Sequence, residues 1–129
     1  MSLRIILIAS GIVGILFGLF FLLGSESAIQ SYNLGDSTLP ARLFARATGG
    51  LILSVGIINL LAYRDSGSSG LRAIIIGNIL IHILSIGVDF SESYTRDVGV
   101  WIGLGVHVVF IVAFGWALLN WSRVTTKPA

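Results

Sequence analysis

Residues 5–23 read IILIASGIVGILFGLFFLL, a run of nineteen residues without a charged side chain. An α-helix needs roughly 20 predominantly apolar residues to cross a hydrocarbon core about 30 Å thick. A lone segment in a bilayer must be helical, because only a helix satisfies its own backbone N–H and C=O groups. The stretch therefore predicts a transmembrane helix, and it decides the fold class.

Three further stretches follow the same pattern, which gives spans at about residues 5–23, 43–63, 71–88 and 98–121. The second and third spans reach full length only by including Arg46 and Arg72, whose long side chains can snorkel from near a helix end. Ser37 or Thr38 can cap the second helix, since Pro40 suits its first turn. The sequence predicts one all-α domain over residues 1–129, a four-helix transmembrane bundle of up-down topology.

The composition excludes several classes of protein. The chain has 129 residues, of which 55% are hydrophobic and only 11% are charged, far from the quarter expected of a soluble surface. A formal charge of +2 is too small to indicate a nucleic-acid partner. There is no cysteine, no G-x-S-x-G, no H-E-x-x-H, no P-loop and no zinc-ligand spacing. The sequence favours a protein that is not an enzyme and holds no metal.

The basic residues predict the orientation of the chain. Of eight Lys and Arg, five fall on the side that holds both termini and the loop between spans two and three: Arg4, Arg64, Arg72, Arg123 and Lys127. The opposite side has Arg42, Arg46 and Arg96. Basic residues are enriched in cytoplasmic loops, so we expect a multi-pass protein of the cell membrane with both termini cytoplasmic.

Glycine patterns predict close helix packing. Gly14 and Gly18 form a G-x-x-x-G step in span one, and Gly99 and Gly103 form another in span four. We expect these steps to make contacts within the bundle rather than a dimer face. Gly11 and Gly18 of span one are seven residues apart, as are Gly49 and Gly56 of span two, and in glycine-rich helices we take this likeness as coincidence. Residues 24–39 are expected to form an ordinary connector on the bilayer surface; the alternative is a short interfacial helix that starts in residues 25–32, with Tyr32 at headgroup depth.

Polar side chains inside the spans are the candidate site. On the third span Asn78, His82, Ser85 and Asp89 follow one another at intervals of four, three and four residues. This spacing places their side chains along one face of the helix. Counted from the outer helix ends at about 1.5 Å per residue, His82 and His107 lie at depths of about 10 and 13 Å, and Arg46 at about 9 Å. We therefore predict one polar intramembrane cluster, comprising Asn78, His82, Ser85, Asp89, Arg46 and His107.

Three interpretations of this cluster stay open. In the first, the residues make interhelical hydrogen bonds and an Arg46–Asp89 ion pair that fix helix register. In the second, His82 and His107 ligate a b-type haem from opposite sides, with Arg46 neutralising a propionate, which makes the chain an electron-transfer protein. In the third, the polar face belongs to a proton or small-solute path, although residues 73–77 are apolar and offer no exit.

The motifs Pro40-Ala41-Arg42 and Arg46-Ala47-Thr48-Gly49-Gly50 open the second span, Arg64 closes it, and His82 lies on the polar face of the third. In these features and in size the chain resembles the small four-helix bacterial membrane proteins of unknown function that are broadly DoxX-like in layout. The resemblance covers most of the chain. It implies a fold and a membrane location, and it implies no reaction.

Taken together, these patterns predict a non-catalytic accessory or self-associating structural subunit, with no cofactor assumed. The expected partners are membrane lipids and either further copies of the chain or a larger membrane complex. The haem protein and the solute path are the alternatives.

Overall fold

Six α-helices make up the computed structural model of the chain: α1 (Leu3–Leu23), α2 (Ser25–Ser31), α3 (Leu39–Ala62), α4 (Ser69–Ser91), α5 (Val98–Leu119) and α6 (Trp121–Thr125). The structure describes residues 2–32, 35–65, 67–91 and 98–125, and for residues 89, 91, 98, 99, 124 and 125 it describes the backbone alone. Helices α1, α3, α4 and α5 are long enough and apolar enough to cross a membrane. The predicted all-α four-helix bundle is confirmed.

The hydroxyl side chains just before the helices fix where the helices begin. Thr38 accepts a hydrogen bond from the Ala41 N–H at 3.4 Å, and Pro40 lies in the first turn of α3, as the sequence predicts. Before α4, the Ser68 hydroxyl accepts from the Leu71 N–H at 3.0 Å. Because of these caps, α3 and α4 begin two to four residues before the predicted spans.

Asp65 organises the turn between α3 and α4. Its carboxylate accepts hydrogen bonds from the Ser68 hydroxyl and from the backbone N–H groups of Ser68 and Gly67. These bonds, that of the Ser68 hydroxyl first, hold the pKa of the Asp65 carboxyl below its usual value. Gly67 has a φ of 114°, a conformation that other residues rarely adopt.

The most extensive contact in the bundle joins α1 to α3 through facing glycines. A Cβ atom added to Gly18 would lie 2.5 Å from the backbone nitrogen of Leu53, and one added to Gly49 would lie 2.5 Å from that of Leu22. Gly11 and Gly56 meet in the same way one repeat along, which makes the two helices antiparallel. The glycines that are seven residues apart in each helix thus lie at the contact between α1 and α3. Their shared spacing, which was expected to be coincidence, suits the packing of the two helices.

The segment after α1 contains the short helix α2, which was the alternative to the ordinary connector favoured from the sequence. Ala28 and Ile29 of α2 are buried, with exposed fractions of 0% and 2%. At the end of α2 the Tyr32 ring lies 5.5 Å from the Phe21 ring and beside Gly103 of α5. Ala28, Ile29 and Tyr32 therefore pack this segment against the bundle.

The apolar core lies at the end of the bundle where α1 and α4 begin and α3 and α5 end, which we call the base. All four long helices contribute to it, and Phe114 and Ile75 are 0% exposed. The core comprises Leu3, Ile6, Leu7, Ala62, Leu71, Ile75, Phe110, Ala113, Phe114 and Ala117.

The adjacent residues Gly49 and Gly50 allow a matched test of the α1–α3 contact. Gly49→Ala should lower the free energy of unfolding by about 1–3 kcal/mol, because the added methyl group overlaps the backbone of α1. Gly50→Ala is the control, since a Cβ atom there meets nothing within 4 Å. Equilibrium unfolding in mixed detergent micelles measures both. Equal effects of the two substitutions would contradict the close packing of α3 against α1 at Gly49.

Candidate functional site

Three polar side chains from three helices meet in the bundle interior and form what we call the amide cluster: Ser10 of α1, Asn59 of α3 and Asn78 of α4. The Asn59 amide donates to the Ser10 hydroxyl and to the Asn78 carbonyl oxygen, both at 2.9 Å. The Asn78 amide donates back to the Asn59 carbonyl oxygen at 2.9 Å. The three residues are only 0% to 5% exposed.

All the side-chain N–H donors of the amide cluster are used in hydrogen bonds within the protein. A carboxamide has two N–H donors, so Asn59 and Asn78 together have four. Three of these bond within the cluster, and the fourth, from Asn78, reaches the Ile74 carbonyl at 2.8 Å. The cluster therefore ties α1, α3 and α4 together and leaves no amide N–H for a substrate.

The two histidines of the chain meet between α4 and α5. The Nδ1 atoms of His82 and His107 lie 2.8 Å apart, and the ring centroids are 5.1 Å apart. The His82 ring also stacks on Phe110 of α5, at 5.4 Å and an interplanar angle of 14°. The two histidines, which residue counting places at similar depths, are therefore in direct contact.

The short distance between the two Nδ1 atoms indicates a hydrogen bond between the rings. A hydrogen bond between them requires one ring to carry hydrogen on Nδ1 and the other to present a lone pair. Whichever ring donates, the pair holds one hydrogen between two nitrogens and joins α4 to α5.

Of the other predicted site residues, Ser85 and Arg46 form no hydrogen bond with the histidines in the described part of the chain. The Ser85 hydroxyl donates to the Ile81 carbonyl of its own helix at 2.9 Å. Arg46 is exposed, and at 100° per residue it lies about 140° around α3 from Asn59, which faces α4. Asp89 belongs to α4, but its side chain, and with it the predicted Arg46–Asp89 ion pair, lies outside the described part of the chain.

Sequence reasoning missed Ser10 and Asn59. The available signal was Asn59 itself, a carboxamide among apolar residues in the last two turns of α3, which needs an interior partner. Asn78 and His82 were predicted to share one polar face of α4. They instead contact different helices, because Asn78 bonds to Asn59 of α3 and His82 bonds to His107 of α5.

The arrangement of the histidines bears on the haem hypothesis. An iron between two imidazole nitrogens separates them by about 4 Å, if each bond matches the ~2.0–2.1 Å of zinc to imidazole. The 2.8 Å contact leaves no room for an iron and its macrocycle between the rings as they lie. The rings as they lie are not arranged on opposite sides of an iron, and the haem interpretation stays a prediction. Among the described residues, no three His, Cys, Asp or Glu side chains converge to hold a metal.

The geometry also bears on the solute path. Residues 73–77 of α4 are apolar, but Ser10 of α1 and Asn59 of α3 add polar groups to the interior on the base side of the histidines. Beyond the cluster lies the apolar core, in which Ile75 and Phe114 are fully buried. The described residues thus place a packed apolar layer across the base side of the polar groups.

Fold and site together define a helical bundle of membrane-spanning length whose interior polar groups bond across helices. Comparison with protein-family models, with curated proteins and with solved structures finds no match to this chain. The resemblance to DoxX-like proteins therefore stays an expectation.

A double-mutant cycle on Asn59 and Asn78 tests the amide cluster. Asn59→Leu should destabilise the protein by about 1–2 kcal/mol, because it leaves the Asn78 amide without its partner. Asn59→Leu combined with Asn78→Leu should cost less than the sum, with a coupling of about 0.6–1.7 kcal/mol. Unfolding in mixed micelles gives these energies.

Asn120→Ala is the control for this cycle, since within the described part of the chain the Asn120 amide donates to the Trp116 carbonyl, four residues earlier, and not to another helix. Strict additivity of the Asn59 and Asn78 substitutions would contradict the reciprocal amide contact.

Proposed function

We propose that this chain is a structural or accessory subunit of the cell membrane, without catalysis of its own. The observation that supports this proposal is that the polar side chains of its interior bond to one another. The amide cluster joins α1, α3 and α4, and the histidine pair joins α4 and α5. Groups that are engaged in this way hold helices in register.

The connections between helices support the same proposal. Gly24 alone separates α1 from α2, and residues 63–68 separate α3 from α4. Only six residues, 92–97, lie between α4 and α5. Connections of this length have no room for a soluble catalytic domain, so the functional surface is that of the spanning helices.

This surface is strongly apolar. Leu51 and Leu61 of α3 are 71% and 76% exposed, and Leu84 of α4 is 68% exposed. Side chains of this kind suit lipid tails and the helices of a partner equally well, since both are apolar. We propose that the partner is a further copy of the chain or another membrane protein, packed through such a face.

The proposed orientation places both termini in the cytoplasm. It is supported by the five basic residues on the side of the termini against three on the other. The base of the bundle, with its apolar core, then lies toward the cytoplasmic side.

Mass determination tests the subunit proposal. The protein is cross-linked in intact membranes with an amine-independent photoreactive reagent, extracted in a mild detergent and measured by light scattering and native mass spectrometry. We expect a mass above the 13.7 kDa of one chain, either a multiple of it or a defined complex. A strictly monomeric protein without a specific partner, before and after extraction, would contradict the proposal.

A further inference from the structure

We propose that Arg42 and Arg46 form a binding site for the phosphate of an anionic phospholipid, in the leaflet next to the start of α3. The inference concerns a different face of α3 from the one that carries the amide cluster. It is independent of the proposed subunit role.

Arg46 lies on the lipid side of α3 at membrane depth. It follows the first residue of the helix, Leu39, by seven positions, or about 10 Å along the axis. The 24 residues of α3 span about 36 Å, some 6 Å more than the hydrocarbon core, so a centred helix places the Arg46 backbone about 7 Å inside it. Its neighbours Leu43 and Phe44 are 55% and 77% exposed, as lipid-facing residues are.

The direction of helix side chains brings the Arg46 guanidinium back to the membrane surface. Cα–Cβ bonds tilt toward the N-terminus of a helix, and the N-terminus of α3 is its nearer end. Arg42 shows this direction, because its Nη1 donates to the carbonyl oxygen of Ser37, five residues earlier. Both guanidinium groups therefore extend toward the first turn of α3.

Two arginines one turn apart on the same side repel each other unless an anion lies between them. Both guanidinium groups have N–H donors left for an anion. Among the described residues, Arg42 uses only Nη1 in a hydrogen bond, and Arg46 forms none. The Ser37 hydroxyl beside them is buried and likewise has no partner among the described residues. The positive end of the α3 dipole adds to the attraction of an anion.

The phosphate of a phospholipid fits these requirements. Guanidinium forks bind phosphate through two parallel hydrogen bonds, and lipid phosphates lie at the depth to which the side chains extend. The exposed leucine and phenylalanine beside the arginines suit the acyl chains of the same molecule. A lipid thus satisfies the charged and the apolar parts of the site together.

Lipid retention measured by native mass spectrometry tests this site. The protein is exchanged into micelles containing phosphatidylglycerol or, separately, phosphatidylcholine, and bound lipid is counted per chain. We expect preferential retention of one phosphatidylglycerol, weakened about fivefold by Arg42→Gln and by Arg46→Gln, since each basic residue near a membrane surface contributes about that factor. Arg46→Lys should retain part of the preference.

Arg72→Gln is the matched control, because Arg72 is an exposed arginine near the start of α4, at the opposite end of the bundle. It should leave retention unchanged, and equal unfolding midpoints establish that all variants are folded. Equal retention of phosphatidylglycerol by wild type and Arg46→Gln would overturn the proposal. Displacement of the lipid by millimolar inorganic phosphate would overturn the lipid assignment in favour of a free phosphate.

Discussion

Polar groups inside this bundle must find their partners within the protein, because a hydrocarbon core offers no water to replace a missing hydrogen bond. The structure meets this constraint at two places. Asn59 and Asn78 exchange hydrogen bonds between α3 and α4, and His82 contacts His107 between α4 and α5. These contacts join α3 to α4 and α4 to α5, so the pairing of polar groups fixes the register at which these three helices meet.

The contact of Ser10 with Asn59 depends on how closely α1 approaches α3. Gly11 and Gly56 allow backbone to pack against backbone, and Ser10 and Asn59 lie within one helical turn of these two glycines. A Cβ atom at Gly56 would overlap the backbone of α1, so a larger residue there would push the two helices apart. The glycines therefore provide the proximity, and the polar side chains provide the specificity that non-directional packing lacks.

Depth along a helix can be predicted from sequence, whereas rotation about the helix axis cannot. The uncharged runs predict the four spans, Thr38 and Pro40 predict the start of α3, and residue counting places His82 and His107 at one level. Arg46 has a similar depth, but it faces away from them, because the direction of a side chain follows from which neighbour its helix packs against. That choice is made by glycines tens of residues distant in sequence, so neither the position of Arg46 nor the pairing of Asn59 was predictable from local pattern.

The most direct test of the account uses the fact that the chain has only two histidines. The protein, labelled with ¹⁵N in histidine alone and reconstituted in lipid, gives imidazole spectra of these two residues without overlap. If interior polar groups satisfy one another, one Nδ1 is protonated, the other is not, and a ¹⁵N–¹⁵N correlation across the hydrogen bond connects them. The correlation should vanish in His107→Gln. Two independent rings without this correlation in the wild-type protein, or ring signals displaced by a bound iron, would contradict the account.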